Sequence, residues 1–136
     1  MNDIQNLSYA AIQVVHNFGA VAVVGGSLIA WKWREGAMRR KLAQLVLAGW
    51  LTQVASGAIF GLTTLYFHHA LPDISGIATY ALGIKMLCAM LGILLLAAYL
   101  WTGERWQEQR LEKVWIASSL LAVTAISSAA FLRWFS

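Results

Sequence analysis

The sequence predicts an all-α integral membrane protein: an antiparallel four-helix bundle with both termini on the outer, periplasmic side. Three observations carry that expectation. First, 60% of the 136 residues are hydrophobic and 12% are charged, whereas soluble domains carry about 25% charged residues. Second, the apolar residues fall into four runs, 7–33, 42–69, 77–101 and 114–135, and about 20 apolar residues are enough for a helix to cross the hydrocarbon core. Third, Lys and Arg gather in the first and third connections and are missing from the second, the alternation that the positive-inside rule reads as topology. The whole chain, 1–136, reads as one domain.

Helix 1 is expected over 7–33. The segment before it, Met-Asn-Asp, lacks a basic region, and the apolar run is too long for a signal peptide, so no cleavage is expected. The connection 34–41 is short and basic, with Arg34, Arg39, Arg40 and Lys41. Helix 2, over 42–69, closes on His68 and His69, and the connection 70–76 carries Pro72, Asp73 and Gly76 but no cation. Helix 3, over 77–101, holds one charge, Lys85. The connection 102–113 carries Arg105, Arg110 and Lys113 among three glutamates, and helix 4 follows over 114–135. The two basic connections share a side, the cytoplasmic face of a bacterial inner membrane. Trp31, Trp33, Trp101, Trp106 and Trp115 then fall near the inner boundary, and Tyr66, Tyr80 and Trp134 near the outer one, an aromatic belt at each interface. Connections this short favour an up-down bundle.

Composition also excludes functions. The net charge of +4 sits in loops beside apolar runs and acts as orientation signal, not as a nucleic-acid surface. A single cysteine, Cys88, allows no disulfide framework and no zinc spacing. GxxxxGK[ST], HExxH, GxSxG and CxxCH do not occur, which argues against nucleotide and hydrolase chemistry and excludes covalent c-type haem.

Two ionisable groups lie in the spans at one depth. His16 stands eight residues beyond Ser8 in helix 1, and Lys85 eight beyond Ile77 in helix 3. At 1.5 Å per residue both are roughly 12 Å below the outer boundary. An amine there costs roughly 2.5–3.5 kcal/mol on insertion scales and marks function by default. All six acids (Asp3, Glu35, Asp73, Glu104, Glu108, Glu112) lie in the tail or the connections. A counter-ion for Lys85 would therefore come from a ligand or a partner subunit, unless its amine snorkels outward or stays uncharged. His16 reads either as a histidine hydrogen-bonded to Gln53 or a helix 4 serine, as an axial ligand of haem iron, or as a proton relay. Lys85 or His68 is the candidate second ligand. His68, His69 and Arg133, near the outer boundary, are candidates for haem propionate contacts, with interfacial anchoring as their plainer role. Met86, Met90 and Cys88 are soft ligands beside Lys85 or simply core. Small residues recur at helical spacing, including Gly49, Gly57 and Gly61 around Gln53. They serve close helix packing or leave room for a flat ligand.

The segment VVHNFGAVAVVGG, with the histidine ahead of a glycine-rich half, resembles the first helix of the CopD (copper-resistance D) membrane domain. It is also similar to the small HemJ-type protoporphyrinogen oxidases. MRRKL, ASGAIFGL and TYALGIKMLCAMLGILLLAAY fit the same plan. The HemJ-type resemblance implies a four-helix protein that binds haem b, with His16 and Lys85 essential. The CopD-type resemblance implies copper handling. After Gly25 and Gly26 the chain reads SLIAWKW, where HemJ-type proteins carry a Pro-Arg stretch and further histidines. The leading expectation is a b-haem membrane protein carrying electrons between a periplasmic redox donor and the quinone pool, alone or within a larger homo- or hetero-oligomeric complex. A HemJ-like oxidase, a copper-transport module and a haem-free packing subunit are the alternatives.

Overall fold

The computed structural model describes residues 3–136. They form α1 (Asp3–Lys32), α2 (Gly36–His68), α3 (Ile77–Thr102) and α4 (Glu108–Phe135), with a 3-10 turn over Gly103–Arg105. Each of the four α-helices is long and apolar enough to cross a membrane. The shortest has 26 residues, and at 1.5 Å per residue it spans about 39 Å, more than the ~30 Å hydrocarbon core. The chain is a multi-pass membrane protein with the all-α, antiparallel four-helix architecture expected.

α1 packs on α2 and α4, and α3 packs on α4 and α2. The helices thus stand at four corners, with α1 and α3 on one diagonal. The start of α1, the end of α4 and the connection 69–76 lie at one end of the bundle, the termini end. The other two connections lie at the opposite, basic end.

α2 and α4 each begin six residues before the apolar run that announces them. Hydropathy detects only the part of a helix immersed in hydrocarbon. Arg39, Arg40 and Lys41 are good helix formers, so α2 starts in the interfacial layer rather than at the oil boundary. At the termini end α2 stops at His69, whose N–H still reaches the Leu65 carbonyl while its left-handed φ of 54° turns the following chain off the helix. Gly76, at φ 56°, turns the chain into α3 with a backbone conformation that glycine adopts without strain.

The basic end is tightly packed. Between helices in lipid the driving force is close van der Waals fit, so small residues decide where backbones meet. A Cβ on Gly49 would stand 3.0 Å from the Gly19 carbonyl, and one on Gly26 would stand 2.6 Å from Val46. These contacts zip α1 to α2. A Cβ on Gly92 would lie 2.4 Å from the indole of Trp50, so the fully buried Trp50 fills the α2–α3 contact only because Gly92 has no side chain. Ser27 and Ser118 share a 2.7 Å hydrogen bond between α1 and α4.

Arg39, read above as an orientation charge, is 2% exposed. Its Nε donates to the carbonyls of Ala30 and Trp33, and its Nη1 donates to both carboxylate oxygens of Glu108 at 2.9 and 3.1 Å. One guanidinium therefore satisfies carbonyls at the C-terminal end of α1 and binds the first residue of α4, where a carboxylate also suits the helix dipole. The expected inner belt is also corrected in one member. Trp33 and Trp101 are exposed, but Trp115 is fully buried and packs edge-on against Tyr99, with ring centroids 5.3 Å apart. Tyr66, Tyr80 and Trp134 are exposed near the termini end as expected.

The glycine contacts predict a contrast between two substitutions. Gly92→Leu forces Trp50 out of its seat and should lower the stability of the detergent-solubilised protein by about 1–3 kcal/mol, the usual cost of overpacking. At Gly83, on the same helix, a Cβ would meet no atom within 4 Å, so Gly83→Leu should not lower the thermal midpoint. Thermal unfolding followed by circular dichroism separates the two.

Candidate functional site

The expected pair comes together. Lys85 Nζ lies 2.9 Å from His16 Nε2, across the diagonal of the bundle. His16 Nδ1 lies 2.6 Å from Ser56 Oγ on α2. Ser56 Oγ in turn donates to the Thr52 carbonyl at 2.6 Å. Gln53 donates its side-chain amide to the His16 carbonyl. Three helices are thus joined by one polar chain, α3 to α1 to α2.

With the single Ser56 hydroxyl proton assigned to the Thr52 carbonyl, Ser56 accepts from His16. His16 therefore carries its proton on Nδ1 and presents a lone pair on Nε2, which Lys85 meets as a donor. Sequence reading placed the imidazole's partner on Gln53 or on a helix 4 serine. Gln53 does contact His16, but at the backbone, and the ring belongs to Ser56 of α2. Lys85 does not snorkel; its amine turns inward to the imidazole.

Register explains why the two meet. Trp50 of α2 packs on Gly92 of α3. Counting seven residues from that contact toward the termini end reaches Gly57 on α2 and Lys85 on α3. Gly57 and Gly61 lie about two and three turns from Trp50, so they share its face toward α3. Yet no atom stands within 4 Å of where their Cβ atoms would be. α2 and α3 touch at Trp50; beyond it Gly57 and Gly61 present open backbone, and Lys85 is level with Gly57. The glycine stripe of helix 2 thus divides: Gly49 is a packing residue, while Gly57 and Gly61 are open. Two shallow grooves of about 280 and 420 Å³ run along the outer α1–α2 seam and include neither His16 nor Lys85 in their walls.

The remaining candidates stand elsewhere. His68 Nε2 is 2.9 Å from Gln5 Nε2 and ties the end of α2 to the start of α1. It lies twelve residues beyond Ser56, roughly 18 Å along the helix. It cannot share one metal ion with His16, which removes it as the second ligand. His69 is the exposed left-handed residue that ends α2, and Arg133 is exposed near the end of α4. Among the described residues no hydrogen bond or ion pair joins His68, His69 and Arg133. Met86 and Met90 are 64% and 54% exposed and face lipid, while Cys88 is buried. Met86, Met90 and Cys88 thus do not converge as soft ligands beside Lys85, and among the described residues no group of three or more His, Cys, Asp or Glu could hold a metal ion. Trans donors on one metal stand about 4 Å apart at ordinary metal–nitrogen distances of about 2.0–2.1 Å. At 2.9 Å, His16 and Lys85 are not disposed as the two axial ligands of one iron.

Sequence reading missed Ser56. Its signal was faint but present: it sits within the ASG triplet between Gln53 and Gly57. It also missed the rung above, where Tyr9 Oη and Thr64 Oγ1 are 3.0 Å apart.

Removing the Ser56 hydroxyl should release the imidazole. In a protein with ¹⁵N-labelled histidine, Ser56→Ala should lower the ratio of the Nδ1–H to the Nε2–H form of His16 about fivefold, the bias that one hydrogen bond of about 1 kcal/mol supplies. Ser56→Thr, which keeps the hydroxyl, should retain the parent spectrum.

Compared with protein-family models, with curated proteins and with solved structures, the chain matches none of them.

Proposed function

We propose that this chain is a small membrane-embedded b-type-haem protein. It would carry electrons between a periplasmic donor and the quinone pool, alone or within a larger complex. One observation supports this reading above the others: Ser56 holds the His16 ring with Nε2 toward Lys85, and the open faces of Gly57 and Gly61 would wall a cleft for a flat ligand at that level. Imidazole is a common axial ligand of haem iron. Metal-bound histidines donate their other N–H to an oxygen, which fixes the ring and raises its basicity. Ser56 performs that task here.

The donor set fits the group. His16 would hold the iron through Nε2, and Lys85, displaced from that nitrogen, would turn to a propionate. That carboxylate supplies the anion that the spans themselves lack. When bound, haem supplies one-electron chemistry. The chain supplies an oriented ligand, a cation and the open faces of Gly57 and Gly61. On the positive-inside rule the termini end faces the periplasm, and the site lies nearer that side.

Purified in mild detergent and supplied with haem, the protein should give a b-type reduced-minus-oxidised spectrum that His16→Ala abolishes. Ser56→Ala should weaken haem binding about 10–100-fold, as loss of a ligand-orienting partner does. Gly57→Leu should lower haem content by filling the cleft while leaving helix content intact. Lys85→Met should lower occupancy or shift the midpoint potential, whereas Arg34→Ala should change neither. A chain that stays colourless in the presence of haem overturns the proposal. Porphyrinogen turnover by the loaded protein would assign it instead to a HemJ-like oxidase.

A further inference from the structure

α1 carries a second stripe, turned away from the polar chain. Ala10, Val14, Asn17, Val21, Val24 and Leu28 are spaced 4, 3, 4, 3 and 4 residues apart. This is the repeat of a helix–helix seam with knobs in holes. Val14 and Val21 are 53% and 68% exposed, Ala10, Asn17 and Leu28 are exposed too, and only Val24 is half-buried. At the middle of the seam stands an amide. Asn17 lies nine residues beyond Ser8, about 14 Å into the span.

A polar side chain at that depth on a lipid-facing surface is costly unless it is hydrogen-bonded. Gln13 Nε2 donates to Asn17 Oδ1 at 2.8 Å. That occupies one lone pair of the Asn17 carbonyl. Its second lone pair and its Nδ2 hydrogens have no partner among the described residues. The group that fits an amide with one free acceptor site and free donors is another amide of the same kind. Two copies of one chain share an orientation in the bilayer, so their two-fold axis runs along the membrane normal. Such an axis sets Asn17 against Asn17 at equal depth, and each amide both donates and accepts. A different partner would need its own amide at the same depth; a second copy supplies it by symmetry.

We infer that the protein forms a parallel two-fold dimer through this face of α1, with the paired Asn17 amides fixing its register. An asparagine within a heptad seam sets register and oligomeric state in this way in coiled coils. The haem proposal does not enter the argument: the seam lies outside the His16–Ser56–Lys85 chain, and dimerisation is measured without cofactor.

The test uses the full chain reconstituted in phosphatidylcholine–phosphatidylglycerol vesicles. In a Cys88→Ala background, Val14→Cys and Val21→Cys should form a disulfide-linked dimer on mild oxidation. Leu94→Cys, 60% exposed on α3, should not. Energy transfer between copies labelled at the N-terminus, with Cys88 retained, gives the same answer without relying on that background. It should show dimers that Asn17→Leu weakens about 3- to 30-fold, the range for interhelical polar contacts in membranes. Asn17 is exposed, so this change leaves the fold of one copy intact. Equal cross-linking at all three positions overturns the dimer. So does absence of energy transfer across protein-to-lipid ratios, or an Asn17→Leu chain that associates as tightly as the parent.

Discussion

Lys85 places an amine in a span that contains no carboxylate, and the molecule is arranged to accommodate it. Hydrocarbon offers no water to solvate such a group, and the long route to the interface is not taken. The amine instead donates to His16, His16 to Ser56, and Ser56 to the Thr52 carbonyl. Each group in the series hands one proton on, and the last acceptor is helix backbone. Cutting the series at any point would strand a donor or an acceptor in a low-dielectric interior, where an unmade hydrogen bond costs more than a made one gains. Because its members sit on α1, α2 and α3, the series also sets the heights of those helices relative to one another.

The two halves of α2 differ in what their glycines meet. Toward the basic end, Gly19 meets Gly49, Trp50 meets Gly92, and Arg39 binds α1 to the start of α4. Toward the termini end, α1 and α2 are joined by Tyr9 with Thr64 and Gln5 with His68, Ala78 and Ala81 are buried on α3, and a Cβ on Gly57 or Gly61 would meet no atom within 4 Å. Small residues thus play opposite parts in one helix. Where Trp50 fills the space, glycine lets backbones close; where no large side chain follows, glycine leaves an opening. A rigid packed half that holds a site at its edge is the usual way to keep ligand-binding groups in position before a ligand arrives.

How much of this the sequence disclosed depended on what kind of residue was asked about. The common depth of His16 and Lys85 follows from counting, because helices 1 and 3 enter from one side and rise per residue is fixed. Inward and outward directions were harder. In water, apolarity points to the core; in lipid, apolar residues are as content outside as inside, so Met86 and Met90 looked like neighbours of the site although they face lipid. Trp115 looked interfacial by position, and only packing against Tyr99 reveals it as core. Arg39 was indistinguishable from Arg34 and Arg40 until the carbonyls at the end of α1 appeared beside it. Ser56 is the clearest case. A serine in a membrane helix commonly bonds its own backbone, and this one does so while also accepting from an imidazole.

The proposed haem would meet the site on three counts. Its iron would take the Nε2 lone pair that Lys85 now meets, on a ring whose orientation Ser56 holds. Its flat apolar face would lie on Gly57 and Gly61, which offer surface and no side-chain hydrogen bond. Its propionates would meet the Lys85 amine, which has no carboxylate of its own in the spans. A bare metal ion would meet the first demand but not the other two, and an apolar quinone only the second.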